Sequence, residues 1–301
     1  MSEVLFVYRS IFTTVLNLTK WQENAEYITF NDLDIFVKDS DGDKPPLLLI
    51  HGFPTASIDW QLVWPRLTKN FRCITFDLIG FGLTSKPQNA PITIMQQADM
   101  CRFVLSKKGI KVAHVLCHDY GVSVGQELLA ASDEVFAPQS CIFLNGGLYP
   151  GVHRPRLIQK LLMSPIGSLV AKLTSYKRFA LTMRTICTQP ISDNDMQIYW
   201  ELMVRDNGRA MLPALIRYMA ERKTHQARWG AATNYPPCPT LLINGVDDPI
   251  SGGHLANAYE ERVSNANVVR LQHTGHYPQV ESPDAVCESA MHFWRNIQAI
   301  T

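Results

Sequence analysis

The chain has 301 residues, 46% of them hydrophobic and 18% charged, with a formal net charge of +1. That composition belongs to a globular chain with a substantial core and excludes a disordered or fibrous protein. Without a basic surplus to neutralise phosphates, nucleic acid is excluded as the natural partner.

The opening segment, EVLFVYRSIFTTVLNLTK, is apolar but interrupted by Arg9. It lacks a basic leader and a small-residue cleavage site, so residues 1–20 read as an amphipathic lead-in helix. Such a helix either packs on the body or rests on a membrane surface as a peripheral contact. No other run approaches the roughly 20 apolar residues of a transmembrane helix.

Two strand-like pieces follow, EYITF and LDIFVKD, separated by the turn signal Asn31-Asp32. PPLLLIHGFP and FRCITFDLIGFG are continuous apolar runs, and between them Leu62, Val63 and Leu67 have helical spacing. IMQQADMCRFVLSKKG predicts a helix, KVAHVLC a strand, VSVGQELLA a helix and SCIFLN a strand. TLLING and NVVRLQ are later strands, and SPDAVCESAMHFWRNI is a closing helix with Ser282 as N-cap. Apolar runs alternating with helices predict an α/β protein with a mainly parallel sheet covered on both faces.

From about Tyr149 to Pro236 the rhythm breaks: helical segments such as DNDMQIYWELM dominate, and Pro236, Pro237 and Pro239 crowd the far edge. This predicts a helical cap over 149–236, inserted between a first core part (1–148) and a second (237–301). Seven cysteines are scattered as singles without metal-ligand spacing. That pattern suits a reducing compartment, the cytoplasm, and no metal or other cofactor is expected.

Four short stretches carry the chemistry. The strand KVAHVLC ends in His118-Asp119-Tyr120-Gly121, with a helix next. This is the layout of a nucleophile elbow, which thrusts its central residue out at the carboxyl end of a strand. Asp119 is equally suited to cap that helix. His51-Gly52-Phe53-Pro54 follows another strand, where the Phe53 N–H can face that of Tyr120 across a site of developing negative charge. Pro54 in so tight a loop is a candidate cis proline. Gly245 is followed by Asp247 and Asp248, and His276 comes just after Gly275 beyond the last strand; His273, three residues earlier, serves as a control. The order nucleophile, acid, histidine is that of an α/β hydrolase.

HGFPTASIDW, DLIGFGLTSKP, HDYG, GVDDP and GHYPQVESP together resemble the α/β-hydrolase superfamily. Within it, the chain is similar to the branch of epoxide hydrolases and haloalkane dehalogenases. The resemblance implies an α/β-hydrolase fold: a mostly parallel eight-stranded sheet flanked by helices, with an inserted helical cap. It implies Asp119 as nucleophile, His276 as base and Asp248 as the acid orienting it, from the pattern Gly-x-x-Asp-Pro. It also implies an oxyanion hole of the Phe53 and Tyr120 N–H groups. His51, Pro54, Trp60, Tyr149 and Trp200 are the expected substrate contacts.

A carboxylate is a poor nucleophile toward carbonyl carbon but an effective one toward saturated carbon bearing a strained or good leaving group, giving an alkyl-enzyme ester. The expected substrate is therefore a small apolar epoxide, opened to a diol, or a halogenated compound. Resemblance to a cap helix of the epoxide hydrolases makes Tyr218 the expected acid; Tyr149, Tyr176 and Tyr199 are candidates for a second tyrosine. Typical haloalkane dehalogenases have Trp after the nucleophile and Asn after the HG, where this chain has Tyr120 and Phe53. A non-catalytic, receptor-like protein on the same fold is the alternative from another class.

Overall fold

Continuous apolar runs become strands covered on both faces, and the sheet of this protein is built that way. A computed structural model describes residues 16–88 and 90–300. Its strands are β1 (Ala25–Phe30), β2 (Leu33–Asp39), β3 (Pro46–Ile50), β4 (Arg72–Phe76), β5 (Val112–Cys117), β6 (Ala137–Phe143), β7 (Thr240–Gly245) and β8 (Val268–Leu271). They form one sheet in the order β1-β2-β4-β3-β5-β6-β7-β8. β1 and β2 form an antiparallel hairpin, and β2 is antiparallel to β4; β3 to β8 run parallel. Leu47, Leu48, Leu49 and Ile50 are all fully buried, as parallel strands between two helical layers must be.

The helices are α1 (Leu18–Gln22), α2 (Trp64–Leu67), α3 (Ile94–Lys107), α4 (Tyr120–Ala130), then α5 (Leu157–Met163), α6 (Gly167–Lys172), α7 (Tyr176–Ile186), α8 (Asp193–Val204), α9 (Leu212–Leu215), α10 (Tyr218–Thr224) and α11 (Gln226–Asn234). After β7 come α12 (Gly253–Arg262), α13 (Pro278–Glu281) and α14 (Pro283–Asn296). Between Phe143 and Thr240 the sheet receives no strand; α5 to α11 fill that interval.

Chain direction decides where a site can form. From β3 the chain steps outward to β4, returns to place β5 on the other side of β3, and continues outward to β8. β3 and β5 are therefore neighbours whose following segments diverge to opposite sides, the switch point at which α/β sheets open a crevice. Phe53 follows β3 and Asp119 follows β5.

Two local expectations are corrected, and one helix is added. The helix suggested by Leu62, Val63 and Leu67 is a 3-10 turn, Ser57–Trp60, and the single turn α2, which starts afresh at Trp64-Pro65 because Pro suits a first helical turn. Ser282 precedes α14 but does not cap it: its hydroxyl pairs with Thr274 Oγ1 at 2.7 Å. α12 was not anticipated, although Leu255 and Tyr259 have the spacing of a buried helical face.

Of the expected lead-in helix, residues 1–15 lie outside the described residues. Its end packs on the body: Leu16 N–H donates to Asp195 Oδ1 at 2.7 Å, and the buried Trp21 indole donates to Ser57 Oγ at 3.1 Å. Among the described residues no helix is long and apolar enough to cross a membrane.

Candidate active site

The elbow is where local chemistry and topology coincide. Asp119 has φ 45° and ψ −107°, a conformation that L-residues avoid. The surrounding packing holds it there. A Cβ at Gly121 would collide with the carbonyl oxygens of Ile50 and His51, so only glycine lets α4 start this close to β3. Asp119 N–H donates to the Asn145 carbonyl at 2.8 Å, which fixes the elbow to the end of β6.

Asp119 stands at the cap position of α4, but its side chain makes no capping hydrogen bond. Its Oδ2 instead accepts from the Phe53 N–H at 3.0 Å, and the Tyr120 N–H also reaches the carboxylate. The Phe53–Pro54 peptide bond is cis. The Phe53 N–H is thus directed at the Asp119 carboxylate, and the Tyr120 N–H beside it also favours the charged form.

His276 completes a line. Its Nδ1 donates to Asp248 Oδ2 at 2.8 Å, and its Nε2 stands 3.7 Å from Asp119 Oδ1, beyond hydrogen-bonding range. The His276 main chain is tied down on both sides, by its N–H to the Ile186 carbonyl (2.9 Å) and by its carbonyl to His118 Nε2 (2.7 Å). Asp248 is buried while Asp247 is exposed, so of the two acids only Asp248 meets the imidazole. Asp248 Oδ2 also accepts from Asn145 Nδ2 (2.9 Å) and from the Ser251 hydroxyl (2.7 Å), and Oδ1 accepts from Ile250 N–H (2.7 Å). The control, His273, is exposed.

The charges follow from this packing. Burial pushes the Asp119 carboxyl above the ordinary carboxylate range, against the pull of His276 and the two N–H donors. Burial also disfavours the His276 imidazolium, but Asp248, through its charge and hydrogen bond, and Asp119, through its charge, raise the pKa to about 9. Burial would raise Asp248 too; His276, Ser251 and Asn145 outweigh it and hold that carboxyl below its usual range. The imidazole is therefore held toward its cationic form between the Asp119 and Asp248 carboxyl groups.

Asp119 and His276 open into a cavity of about 500 Å³. Phe53 and Pro54 line its floor; Leu161, Phe179, Met183 and Met203, from α5, α7 and α8, line the opposite side. Leu157, Leu173 and Leu181 line it too while being 71%, 57% and 63% exposed, which marks the mouth. The walls are mainly aliphatic, with Gln159, Thr174, Thr182, Arg156 and Arg178 as the polar groups.

Of the expected substrate contacts, only Pro54 lines this cavity. His51 is fully buried; its Nε2 accepts from Leu78 N–H (2.9 Å), tying the loop after β3 to the segment after β4, and its Nδ1 donates to Gly52 O (2.9 Å), so both nitrogens are engaged. Trp60 is in the hydrophobic core, as large apolar rings usually are. Tyr149 points the other way and donates to Asn234 Oδ1 at 2.8 Å. Trp200 packs against Tyr176 and Phe179. Tyr218 is fully buried with its ring 4.7 Å from Tyr120, and its hydroxyl has no hydrogen-bond partner among the described residues. It does not line the cavity. Asn145 and Ser251 were missed as members of the site. Ser251, three residues after Asp248, has a turn signal; Asn145 stands where some dehalogenases carry the acid, a place where an amide cannot act as a carboxylate, and its supporting role emerges only where two strand ends meet.

A model of the alpha/beta hydrolase family matches residues 47–289. The chain is 34% identical over 280 residues to LipZ of Mycobacterium tuberculosis (strain ATCC 25618 / H37Rv), a protein named as a hydrolase, with 91% of this chain and 97% of LipZ covered. It is 32% identical over 294 residues to the mesoderm-specific transcript homolog protein of Homo sapiens, covering 92% and 87%. The crystal structure of the haloalkane dehalogenase DbeA from Bradyrhizobium elkani USDA94 superposes with a TM-score of 0.78 at 20% identity, covering 91% of this chain and 98% of that one.

Proposed function

This chain belongs to the alpha/beta hydrolase family, and we propose that it hydrolyses an apolar epoxide to a diol through an ester on Asp119. One observation carries this reading. Asp119 makes no capping bond; its Oδ2 is held by the Phe53 N–H, and its Oδ1 faces an apolar cavity 3.7 Å from His276. A desolvated carboxylate with a free oxygen is suited to in-line displacement at saturated carbon.

In the first step Asp119 Oδ1 attacks an epoxide carbon, the ring C–O bond breaks, and its electron pair goes to the departing oxygen, which takes a proton. Tyr218 is the proposed acid. Its hydroxyl has no acceptor of its own among the described residues, and its ring packs at a tilt against Tyr120 beside the nucleophile. To donate, it must turn into the cavity by a shift of α10. In the second step His276 accepts a proton from water, which attacks the Asp119 ester carbon, and the oxyanion forms against the Phe53 and Tyr120 N–H groups. On collapse the ester C–O bond breaks, the departing alkoxide takes the proton held by His276, the new carboxyl group gives its proton back to the Tyr218 phenolate through water, and the diol leaves with Asp119 again a carboxylate. The loss of the Asp119 charge on esterification removes one of the influences that keep His276 protonated, which prepares it as a base.

Dehalogenation has weaker support. A departing halide needs uncharged N–H donors, and no tryptophan lines the cavity.

The test is His276→Ala mixed with a panel of epoxides and haloalkanes, followed by peptide mass spectrometry. An adduct on Asp119 with the full mass of an epoxide supports the reading. An adduct lacking halide assigns the dehalogenase chemistry, and an unmodified Asp119 across the panel overturns alkyl-enzyme chemistry altogether.

A further inference from the structure

A second cavity, of about 300 Å³, lies across α5 from the first. Leu157, Ile158 and Leu161 of α5 face the Asp119 cavity, while Lys160 and Met163 face this one. Arg222, Lys223, Met219 and His153 also line it, and no carboxylate does. The surrounding chain is positive as well: from Tyr149 to Ser192 there are seven lysines and arginines and no aspartate or glutamate.

Arg222 is the anomaly. It is 2% exposed, its Nε and Nη2 have no hydrogen-bond partner among the described residues, and it forms no ion pair. Burying an uncompensated guanidinium is strongly unfavourable. The fold nevertheless makes room for it: a Cβ at Gly147 would overlap the guanidinium. Beside it, both ring nitrogens of the buried His153 are unpartnered. The carboxylates nearby are occupied elsewhere. Glu221, the one acid on α10, accepts from Ile94 N–H at 2.9 Å, and Asp248 is taken by His276, Asn145 and Ser251; Asp119, whose charge does reach Arg222, makes no hydrogen bond or ion pair with it and is engaged by the Phe53 N–H.

We propose that this basic cavity binds an oxyanion, the phosphate or carboxylate group of a ligand, with Arg222 as the buried anchor. The planar fork of Arg222 matches two oxygens of such a group, His153 adds one N–H, and Lys160 and Lys223 at the rim draw the anion in. Arg222 also lies over the Tyr218 ring, 5.9 Å from its centre, and feels the Asp119 charge; the test reads anion binding and stability, not turnover, so its failure is distinguishable from failure of the Asp119 chemistry.

The experiment measures thermal stability and calorimetric binding with inorganic phosphate, with glycerol 3-phosphate, and with phosphatidylcholine vesicles in which about a third of the lipid is phosphatidylglycerol. The wild-type Tm should rise with phosphate, and that rise should vanish in Arg222→Met. In phosphate-free buffer Arg222→Met should be no less stable than wild type, because it removes an unpaired buried charge. Lys160→Gln with Lys223→Gln, both exposed, should weaken phosphate binding about tenfold without altering the fold. That pair keeps the test open should Arg222→Met fail to fold. Competition by the anionic vesicles assigns the oxyanion to a lipid headgroup; binding of the soluble phosphates alone assigns it to a free ligand. Arg222→Met destabilised in phosphate-free buffer, with equal or absent response to phosphate in both proteins, would make Arg222 a structural residue and overturn the proposal. So would unchanged affinity in the lysine pair.

Discussion

Asn145 and Asp248 leave different strands and meet behind the histidine: Asn145 Nδ2 donates to Asp248 Oδ2 at 2.9 Å, while Asn145 Oδ1 accepts from the Gly245 N–H at 2.7 Å. The carbonyl of the same residue accepts from the Asp119 N–H. One residue therefore fixes the elbow through its main chain, and the acid and the turn after β7 through its side-chain amide. Asn145→Ala should leave the fold intact and slow turnover by about tenfold to a hundredfold, because displacement of a catalytic group by an ångström has that effect. Pre-steady-state kinetics would show breakdown of the ester slowed more than its formation; equal slowing of both would point to a general loosening instead.

Asp248→Asn should be more damaging. Without the carboxylate, His276 loses both its orienting acceptor and the charge that stabilises its imidazolium, and turnover should fall on the order of 10⁴-fold. The ester on Asp119 should accumulate and be visible by mass spectrometry. Asp247→Asn, at an exposed position, should have little effect, and the reverse pattern would assign the acid to the other residue.

The pH dependence has a definite sign. With its pKa raised to about 9, His276 in the free enzyme is protonated at neutral pH and becomes a base only as pH rises. In the proposed mechanism, esterification of Asp119 would remove a negative charge beside it, so in that intermediate the pKa would be lower. Ester breakdown should therefore rise with pH through a midpoint below 9. Single-turnover kinetics across pH checks this; a midpoint at or above the free-enzyme value would show that Asp119 does not influence His276.

Gly121→Ala should lower stability by about 3 kcal/mol, since the added methyl meets two main-chain carbonyls that cannot move aside. Urea unfolding measures it. An unaffected midpoint would mean that α4 does not start as close to β3 as described.

Stability at the far edge of the sheet depends on Asp39, whose side chain is 3% exposed and forms a bidentate pair with Arg72 at 3.0 and 2.6 Å. Burial works against this carboxylate, but Arg72, with Lys108, holds its pKa below the ordinary value. Its contribution is thus fully present above the unfolded-state pKa of about 4 and is lost as pH falls through the lower folded value. Asp39→Asn should cost about 2 kcal/mol at neutral pH and much less under acid conditions, where wild type has lost the same contribution. Unfolding free energies at two pH values test this, and a pH-independent difference would rule out the charge as the cause.

Much of this protein is legible along the chain because its signals are local. Continuous apolar runs identify the strands, and their alternation with helices implies parallel pairing. His118-Asp119-Tyr120-Gly121 can be read as a tight turn from strand to helix because the glycine and its spacing are contiguous. The order of Asp119, Asp248 and His276 is likewise a property of sequence.

What the chain order leaves open is which way a side chain faces once the layers close. His51, Trp60, Tyr149 and Trp200 are polar or aromatic residues near the right loops, yet packing turns each away from the cavity. Asn145 acquires its role only where β6 and β7 lie side by side. The same holds for Arg222, an ordinary helix residue in sequence, whose burial follows from α10 settling over Gly147. Residue types and their order fix what chemistry is available, because bonding capacity is intrinsic to each side chain. Contacts between distant segments decide which of those groups meet, because desolvation and hydrogen bonding act through space and not along the chain.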